Sequence, residues 1–229
     1  MEYIFNLQDN YFYGVSLRTA GDMKYGGENP NRLALYKKLN LNPEKVYGLN
    51  QIHSQIVLVV DSNNPPSVEA DGMISNDKNI TLSVTVADCL PVYLIDNVSG
   101  AFGLVHSGWK GTGIVCNALN LMKQHYSTNP QDVTAILGPC IGVCCYKVDA
   151  ERAAVFENNY GARSVKKDKD SFYLDLKEAN KYILTQAGVI NIMASEDCTC
   201  CDKRFGSFRR EGEAYTRMTA LLSFPSNLK

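Results

Sequence analysis

Short β-type runs and longer helical stretches alternate along this chain, and turn residues separate them. The first twenty residues, through F-Y-G-V-S-L-R, pattern as a hairpin, and residues 21–30 as a polar, glycine-rich loop. N-R-L-A-L-Y-K-K-L-N then reads as a helix over 31–40, followed by strand candidates at 46–49 and 56–60. The consecutive prolines of D-S-N-N-P-P-S exclude regular structure in that linker. The densest apolar stretch comes next. Runs at 80–86, 91–95 and 101–105 are rich in β-branched residues and are split by D-C and by D-N-V-S-G. Pro91 lacks an amide proton, which puts it at the beginning of its strand. Beyond G-W-K-G the pattern predicts a helix at 112–125 and a strand at 133–137. Helices at 147–156, 176–187 and 211–222 follow, with a strand at 189–193. The stretch 161–170, with its Lys166-Lys167-Asp168-Lys169 run, reads as a solvated loop. With no internal repeat, this order predicts one α/β domain over residues 1–229, its mixed β-sheets flanked by helices.

Composition narrows the class. Apolar residues make up 45% of the chain, and 23 Lys+Arg stand against 24 Asp+Glu without blocks of either sign. That distribution carries no nucleic-acid footprint. No basic leader precedes an apolar segment and no apolar run is long enough to span a bilayer, so neither export nor membrane insertion is expected. Eight cysteines at moderate density, some adjacent, suit free thiols in a reducing, cytoplasmic compartment better than a disulfide scaffold.

The chemistry concentrates in His53, Cys89 and His106. The chain has three histidines, and two of them stand at the edges of strand-like runs, in N-Q-I-H-S and in A-F-G-L-V-H before S-G-W-K-G. Two imidazoles and a thiolate suit zinc, and a His₂Cys set leaves one position open to water or substrate. The wide spacing matches no local zinc-finger pattern, and each residue alone reads as well as a structural histidine or a small core cysteine. Asp88, between two apolar runs, needs a partner or a role, and is the candidate proton carrier beside the metal; otherwise it caps a turn. The cysteine-rich G-P-C-I-G-V-C-C and C-T-C-C segments offer an alternative. A closed structural site through Cys140, Cys144, Cys198 and Cys200 would make this a non-catalytic metal-binding interaction protein, although C-x-C-C fits the usual spacing poorly. Arg32, in the first turn of the predicted first helix, and one of Arg209 and Arg210 in G-S-F-R-R-E-G are candidate phosphate ligands or solvated side chains. S-G-W-K-G-T-G lacks the order of an ATP-binding phosphate loop.

Taken in order, N-Q-I-H-S, T-V-A-D-C-L-P-V, H-S-G-W-K-G-T, G-P-C-I-G-V-C-C-Y-K-V and F-G-S-F-R-R-E-G resemble the bacterial YfiH/YlmD-type family. Its members are labelled polyphenol oxidase, laccase domain-containing or multicopper oxidoreductase, and are associated with purine nucleoside metabolism. The resemblance runs from Asn31-Arg32 to the last predicted helix. It implies a single α/β domain and metal ligands at His53, Cys89 and His106. It also implies phosphorolysis of adenosine, inosine and S-methyl-5′-thioadenosine, with adenosine deamination as a further reaction. Asp88 and Arg32 are then the catalytic candidates, with Asp71 as the reserve carboxylate. Lys110, where many relatives carry arginine, and Arg210 are candidates beside the phosphate. Tyr146, Trp109 and Phe205 are possible liners of a purine pocket. Purine nucleosides and inorganic phosphate are the expected partners of a monomer or weak homodimer. The laccase label sits badly with the composition: a type 1 copper plus a trinuclear copper cluster needs far more than three histidines. Copper-dependent polyphenol oxidation, with Cu²⁺, is therefore the minority alternative to a Zn²⁺ enzyme.

Overall fold

The structure, a computed structural model, describes residues 2–8 and 10–224. The N-terminal hairpin consists of β1 (Tyr3–Gln8) and β2 (Tyr11–Ser16), paired from Tyr3 opposite Ser16 to Gln8 opposite Tyr11. Helix α1 (Pro30–Lys38) opens on Asn29, whose side chain accepts from the amides of Asn31 and Arg32, and Pro30 occupies the first turn, where no amide donor is missed. Two short strands, β3 (Val46–Tyr47) and β4 (Val57–Val59), lead to β5 (Gly72–Ser75), β6 (Thr81–Val86), β7 (Leu90–Asp96) and β8 (Phe102–Ser107). Helix α2 (Ile114–Tyr126), β9 (Val133–Leu137), β10 (Lys147–Val148) and α3 (Ala150–Tyr160) follow. The chain continues through β11 (Val165–Asp168), β12 (Ser171–Leu174), α4 (Leu176–Gln186), β13 (Asn191–Ala194), the single turn α5 (Phe208–Glu211) and β14 (Met218–Ser223).

These elements form two large mixed sheets and a small antiparallel one. One sheet of six strands has the order β13-β9-β7-β8-β5-β4, one of five the order β1-β2-β14-β6-β3, and a small third the order β10-β12-β11. The two-residue period of β7 explains how the large sheets stack. Leu90, Val92 and Leu94 pack with Ile114, Ala118 and Met122 of α2 and with Leu176, Ala179 and Leu184 of α4. Tyr93 and Ile95 point the other way, into a second core shared with Val15, Val84 and Ala220 of the five-stranded sheet. Tyr93 also donates its hydroxyl to the Gly14 carbonyl at 2.8 Å, tying the sheets together. On the outer side of the five-stranded sheet, Leu35 and Tyr36 of α1 cover Phe12 and Leu221. The layers thus run helices, sheet, sheet, helix, and among the described residues no helix is long and apolar enough to cross a membrane.

The structure departs from the expected elements in four places. The helix expected at 211–222 is instead the strand β14, between β2 and β6. It is buried on both faces, with Met218, Ala220 and Leu222 in the inter-sheet core and Leu221 under α1, so its sequence lacks the alternation that marks a half-solvated strand. The stretch 161–170 is not all loop: β11 pairs antiparallel with β12, and its lysines are exposed along that strand. Strand β5, unanticipated at D-G-M-I-S, is fully buried between β4 and β8. The helix expected from 147 starts at 150, because Asp149 caps it by accepting from the Arg152 amide and residues 147–148 join the small sheet.

Candidate metal centre and its cavity

Strand register brings the candidate ligands together. In the β7–β8 pair Pro91 lies opposite His106 and Leu90 opposite Ser107, so Cys89, one residue before β7, meets the end of β8. Strand β5 lies on the other side of β8, with Gly72 opposite Val105, which brings Asp71 level with His106. The His106 amide donates to the Asp71 carbonyl at 2.7 Å, and its ring Nδ1 donates to Asp71 Oδ1 at 2.9 Å. That bond leaves Nε2 for the cavity side, beside Cys89. His53 arrives from the loop before β4 and adopts φ 60, a left-handed conformation that a non-glycine residue holds only when its surroundings compel it. Asp71 is what compels it. Its carboxylate accepts from the amides of Ile52 at 3.2 Å, His53 at 3.0 Å and Ser54 at 2.7 Å, and from the Ser54 hydroxyl at 2.8 Å. One fully buried carboxylate thus fixes two of the three ligand residues.

The ligand atoms of His53, Cys89 and His106 all lie within 4.8 Å of one another, and the two imidazole rings are 5.0 Å apart. This donor set fits one tetrahedral ion with a fourth position facing the cavity, and a histidine anchored through its far nitrogen by a carboxylate is the usual support for such an ion. Cys89 and His106 hold each other as a thiolate–imidazolium pair, and an ion binding there displaces the imidazolium proton. Burial alone would raise the Cys89 thiol, but the charge and hydrogen bond of His106, with help from His53, pull it down to about 6. Burial would lower His106, yet the Cys89 sulfur and the Asp71 carboxylate carry it up to about 9. The Asp71 carboxyl falls to about 2: burial opposes this and is outweighed by the bonds from His106 and Ser54. The sulfur is therefore held as a thiolate near neutral pH, the form that binds metal. Gly108 keeps the approach open, since a Cβ there would stand 2.9 Å from Cys89 Sγ and 3.4 Å from His53 Cδ2. The third histidine, His125, is exposed on α2 and is not part of this group.

A cavity of about 590 Å³ opens over the triad. Asp88 lines it with φ 80, and both of its carboxylate oxygens are aimed: Oδ1 accepts from the Thr199 hydroxyl at 2.6 Å and Oδ2 from the Arg209 amide at 2.7 Å. Tyr25, Trp109, Tyr146, Phe208 and Tyr215 supply aromatic walls, and Lys24, Arg152, Arg209 and Arg217 bring four cations to the lining, Arg217 being paired with Asp22 at 3.1 Å. Arg152 lies 4.1 Å above the Trp109 ring, and Arg209 5.4 Å from that of Tyr146. Gln51 braces the rim, donating to the Thr85 carbonyl at 2.9 Å and accepting from the Thr85 amide at 2.6 Å. A depression over Tyr3, Ile4 and Phe5 carries only Glu2 and Lys38 as charged groups, and these pair with each other.

Several sequence candidates stand elsewhere. Arg32 is buried under the rim rather than in the cavity lining. Its guanidinium donates to the Met23 carbonyl at 3.0 Å, Tyr36 hydroxyl at 2.9 Å, Ser83 Oγ at 3.1 Å and Thr85 Oγ1 at 2.7 Å. Arg210 faces away, donating to the carbonyls of Thr199, Cys200, Asp202 and Phe205 and to the Glu211 carboxylate. Lys110 is exposed, its Nζ 5.7 Å from the Trp109 ring centre and outside the lining. Phe205 is a core residue with no exposure, whereas Trp109 and Tyr146 do line the cavity. Sequence reasoning missed Lys24, Arg152 and Arg217 as lining cations. Each is a lone basic residue in an ordinary polar setting, and no local pattern distinguishes it.

Comparison with known proteins places the chain among relatives of the same fold. The chain is 32% identical over 235 residues to mouse purine nucleoside phosphorylase LACC1, covering 90% of this chain and 54% of that protein. It therefore spans about half the length of that relative and 44% of the human one. It is 34% identical over 187 residues to a purine nucleoside phosphorylase of Clostridium acetobutylicum, covering 79% of this chain and 78% of the relative. Among solved structures, YlmD from Geobacillus stearothermophilus superposes with a TM-score of 0.86 at 26% identity, covering 97% of this chain and 99% of that one. YfiH of Bacillus licheniformis does so with a TM-score of 0.86 at 26% identity, covering 93% and 92%. The family model described as multi-copper polyphenol oxidoreductase laccase matches residues 18–225, nearly the whole chain, and the protein belongs to that family.

Proposed function

We propose that this protein is a zinc-containing purine nucleoside phosphorylase acting on adenosine, inosine and S-methyl-5′-thioadenosine with inorganic phosphate, with adenosine deamination as a further activity. The observation that carries the reading is the cavity itself: a His₂Cys group and an aimed carboxylate beneath aromatic walls, ringed by four cations. Aromatic faces suit a purine, and arginines suit a phosphate dianion through forked hydrogen bonds. The relatives named purine nucleoside phosphorylase supply the reaction class.

His53, Cys89 and His106 would hold the zinc, which supplies a Lewis acid facing the cavity when bound. In phosphorolysis a phosphate oxygen bonds to C1′ of the ribose while the C1′–N9 bond breaks. The bonding pair leaves on the purine, and a proton must reach the ring. Arg152, Arg209 and Arg217, with Lys24, are the groups that hold and orient the phosphate, taking the role first assigned to Arg32, Lys110 and Arg210. Arg32 acts as a positioning residue, because its donors hold Thr85 and Ser83 below the rim. Asp88 is the proton carrier at the purine. In deamination, water replaces the 6-amino group and ammonia leaves, and Asp88 moves the protons between them.

Copper-dependent phenol oxidation gains nothing from the cavity. Among the described residues, one His₂Cys group and an exposed His125 build no copper cluster, and no methionine lines the cavity to serve as the axial ligand of a blue copper site. A purely structural metal is disfavoured by the open side of the group. The test is a product-resolved assay of zinc-replete protein with adenosine, with and without phosphate. Adenine and ribose 1-phosphate are expected only with phosphate, and inosine in both conditions. Absence of both products would overturn the enzyme reading, and inosine alone would reduce it to deamination.

A further inference from the structure

Parallel strands β9 and β13 end at the same edge of the six-stranded sheet, so the loops that follow them run side by side. Both loops are rich in cysteine, and Cys140 and Cys198 continue the parallel pairing as an isolated bridge. The sulfurs of Cys144, Cys145, Cys198 and Cys201 all lie within 4.8 Å of one another. Cys144 Sγ is 3.5 Å and Cys145 Sγ 3.3 Å from Cys201 Sγ. Those separations exceed a disulfide bond of about 2.05 Å and approach the roughly 3.8 Å between thiolates around a tetrahedral ion with metal–sulfur bonds of about 2.3 Å. An iron–sulfur cluster distributes its thiolates over different irons, and so holds them farther apart.

We propose that Cys144, Cys145, Cys198 and Cys201 form a second metal site, a closed mononuclear zinc site distinct from the one in the cavity. The backbone is arranged for it. The Gly142 amide donates to Cys198 Sγ at 3.1 Å. Such an amide bond stabilises a thiolate. Gly142 also leaves the space the sulfurs need, since a Cβ there would lie 3.2 Å from Cys144 Sγ and 3.3 Å from Cys198 Sγ. The quartet differs from the one the spacing suggested: Cys140 is fully buried and bonds the Ile141 carbonyl, and Cys200 is not a member. Cys198 and Cys201 form a C-x-x-C pair that the intervening Cys200 hides in the sequence.

The site has a mechanical consequence for the cavity. Thr199, between two of these ligands, donates to Asp88 Oδ1, and the Ile141 amide donates to the Asp88 carbonyl at 2.9 Å. Arg209 donates to the Cys145 carbonyl at 3.0 Å. The ion staples the two loops that aim Asp88 and Arg209, and four saturated sulfur donors leave it no open position for chemistry.

The experiment is elemental analysis of protein purified without chelator, with X-ray absorption at the zinc edge. Wild type should carry about two zinc ions per chain, and Cys89→Ala and the double variant Cys198→Ser/Cys201→Ser about one each. The zinc left in Cys89→Ala should show four sulfur neighbours at about 2.3 Å. That measurement leaves the quartet intact, so it decides the question even if the double variant fails to fold. A Cys89→Ala protein with no zinc, with nitrogen or oxygen around its zinc, or with iron in place of zinc would overturn the proposal. So would a Cys145–Cys201 disulfide in peptides from protein purified without air. The cavity reading stands or falls separately, on the zinc that Cys89→Ala removes.

Discussion

Replacing Asp71 by asparagine tests the account of the cavity at its most heavily loaded atom pair. The carboxylate accepts five hydrogen bonds: Oδ1 from the His53 amide and His106 Nδ1, Oδ2 from the Ile52 and Ser54 amides and the Ser54 hydroxyl. An asparagine keeps one oxygen. Its better orientation preserves the three bonds at the Oδ2 position and turns an NH₂ toward the His53 amide and the His106 ring. The stranded His53 amide and the lost bonds to a charged acceptor then cost about 2–4 kcal/mol. His106 can escape only by shifting its proton to Nε2, the nitrogen that must be bare to bind metal. Loss of such a supporting carboxylate lowers metal affinity roughly 10- to 100-fold. Urea unfolding of the metal-free protein and zinc competition against a chromogenic chelator measure the two effects. The zinc measurement is made in a Cys198→Ser/Cys201→Ser background, so that only the cavity is read. Metal-free stability within about 0.5 kcal/mol of the parent, together with unchanged zinc affinity, would refute the reasoning.

Gly108→Ala should weaken zinc binding in the same titration while leaving the fold intact, because the new methyl meets Cys89 Sγ and His53 Cδ2 within van der Waals distance. Arg32→Ala should lower stability by about 2–4 kcal/mol by stranding the Met23 carbonyl and the Tyr36 and Thr85 hydroxyls, with the KM for phosphate rising much less than in Arg152→Ala; an equal rise would return Arg32 to the phosphate site. Asp88→Asn should keep its zinc and lose turnover in the product assay, and full activity would move the proton carrier elsewhere. Asp77 is held at about 2, because bonds from Ser62 and Asn79 outweigh a burial that would raise it. Its folded pKa lies below its ordinary 3.8, so its contribution is complete above that value and disappears as pH falls through about 2. The stability gap between wild type and Asp77→Asn should therefore close over that interval, and a gap independent of pH would contradict it.

Much of the local structure was legible from residue pattern. The strand at 133–137 has the bounds expected, and the helices at 30–38, 114–126 and 176–186 fall within a few residues of theirs, because each has a cap or a turn that local chemistry marks. The last strand was not legible. Buried on both faces, Met218–Ser223 shows the same apolar run that a core helix would, and length alone could not separate them. Arg209 and Arg210 are neighbours of identical chemistry, yet one lines the cavity and the other clamps carbonyls behind it. That difference follows from the direction each takes from a single helical turn.

By itself the sequence determined which atoms are available: two imidazoles beside strand-like runs, a thiolate and a carboxylate in one short turn, and too few histidines for a copper cluster. The tertiary structure alone decided which of them meet. Asp71 becomes the support of His53 and His106 only through the β5–β8 register, and the four-cysteine group forms only because two parallel strands end together. Local sequence sets side-chain chemistry and backbone preference over a few residues. Convergence of groups far apart in the chain depends on strand order and register, and those are set by the burial of both faces of the sheets.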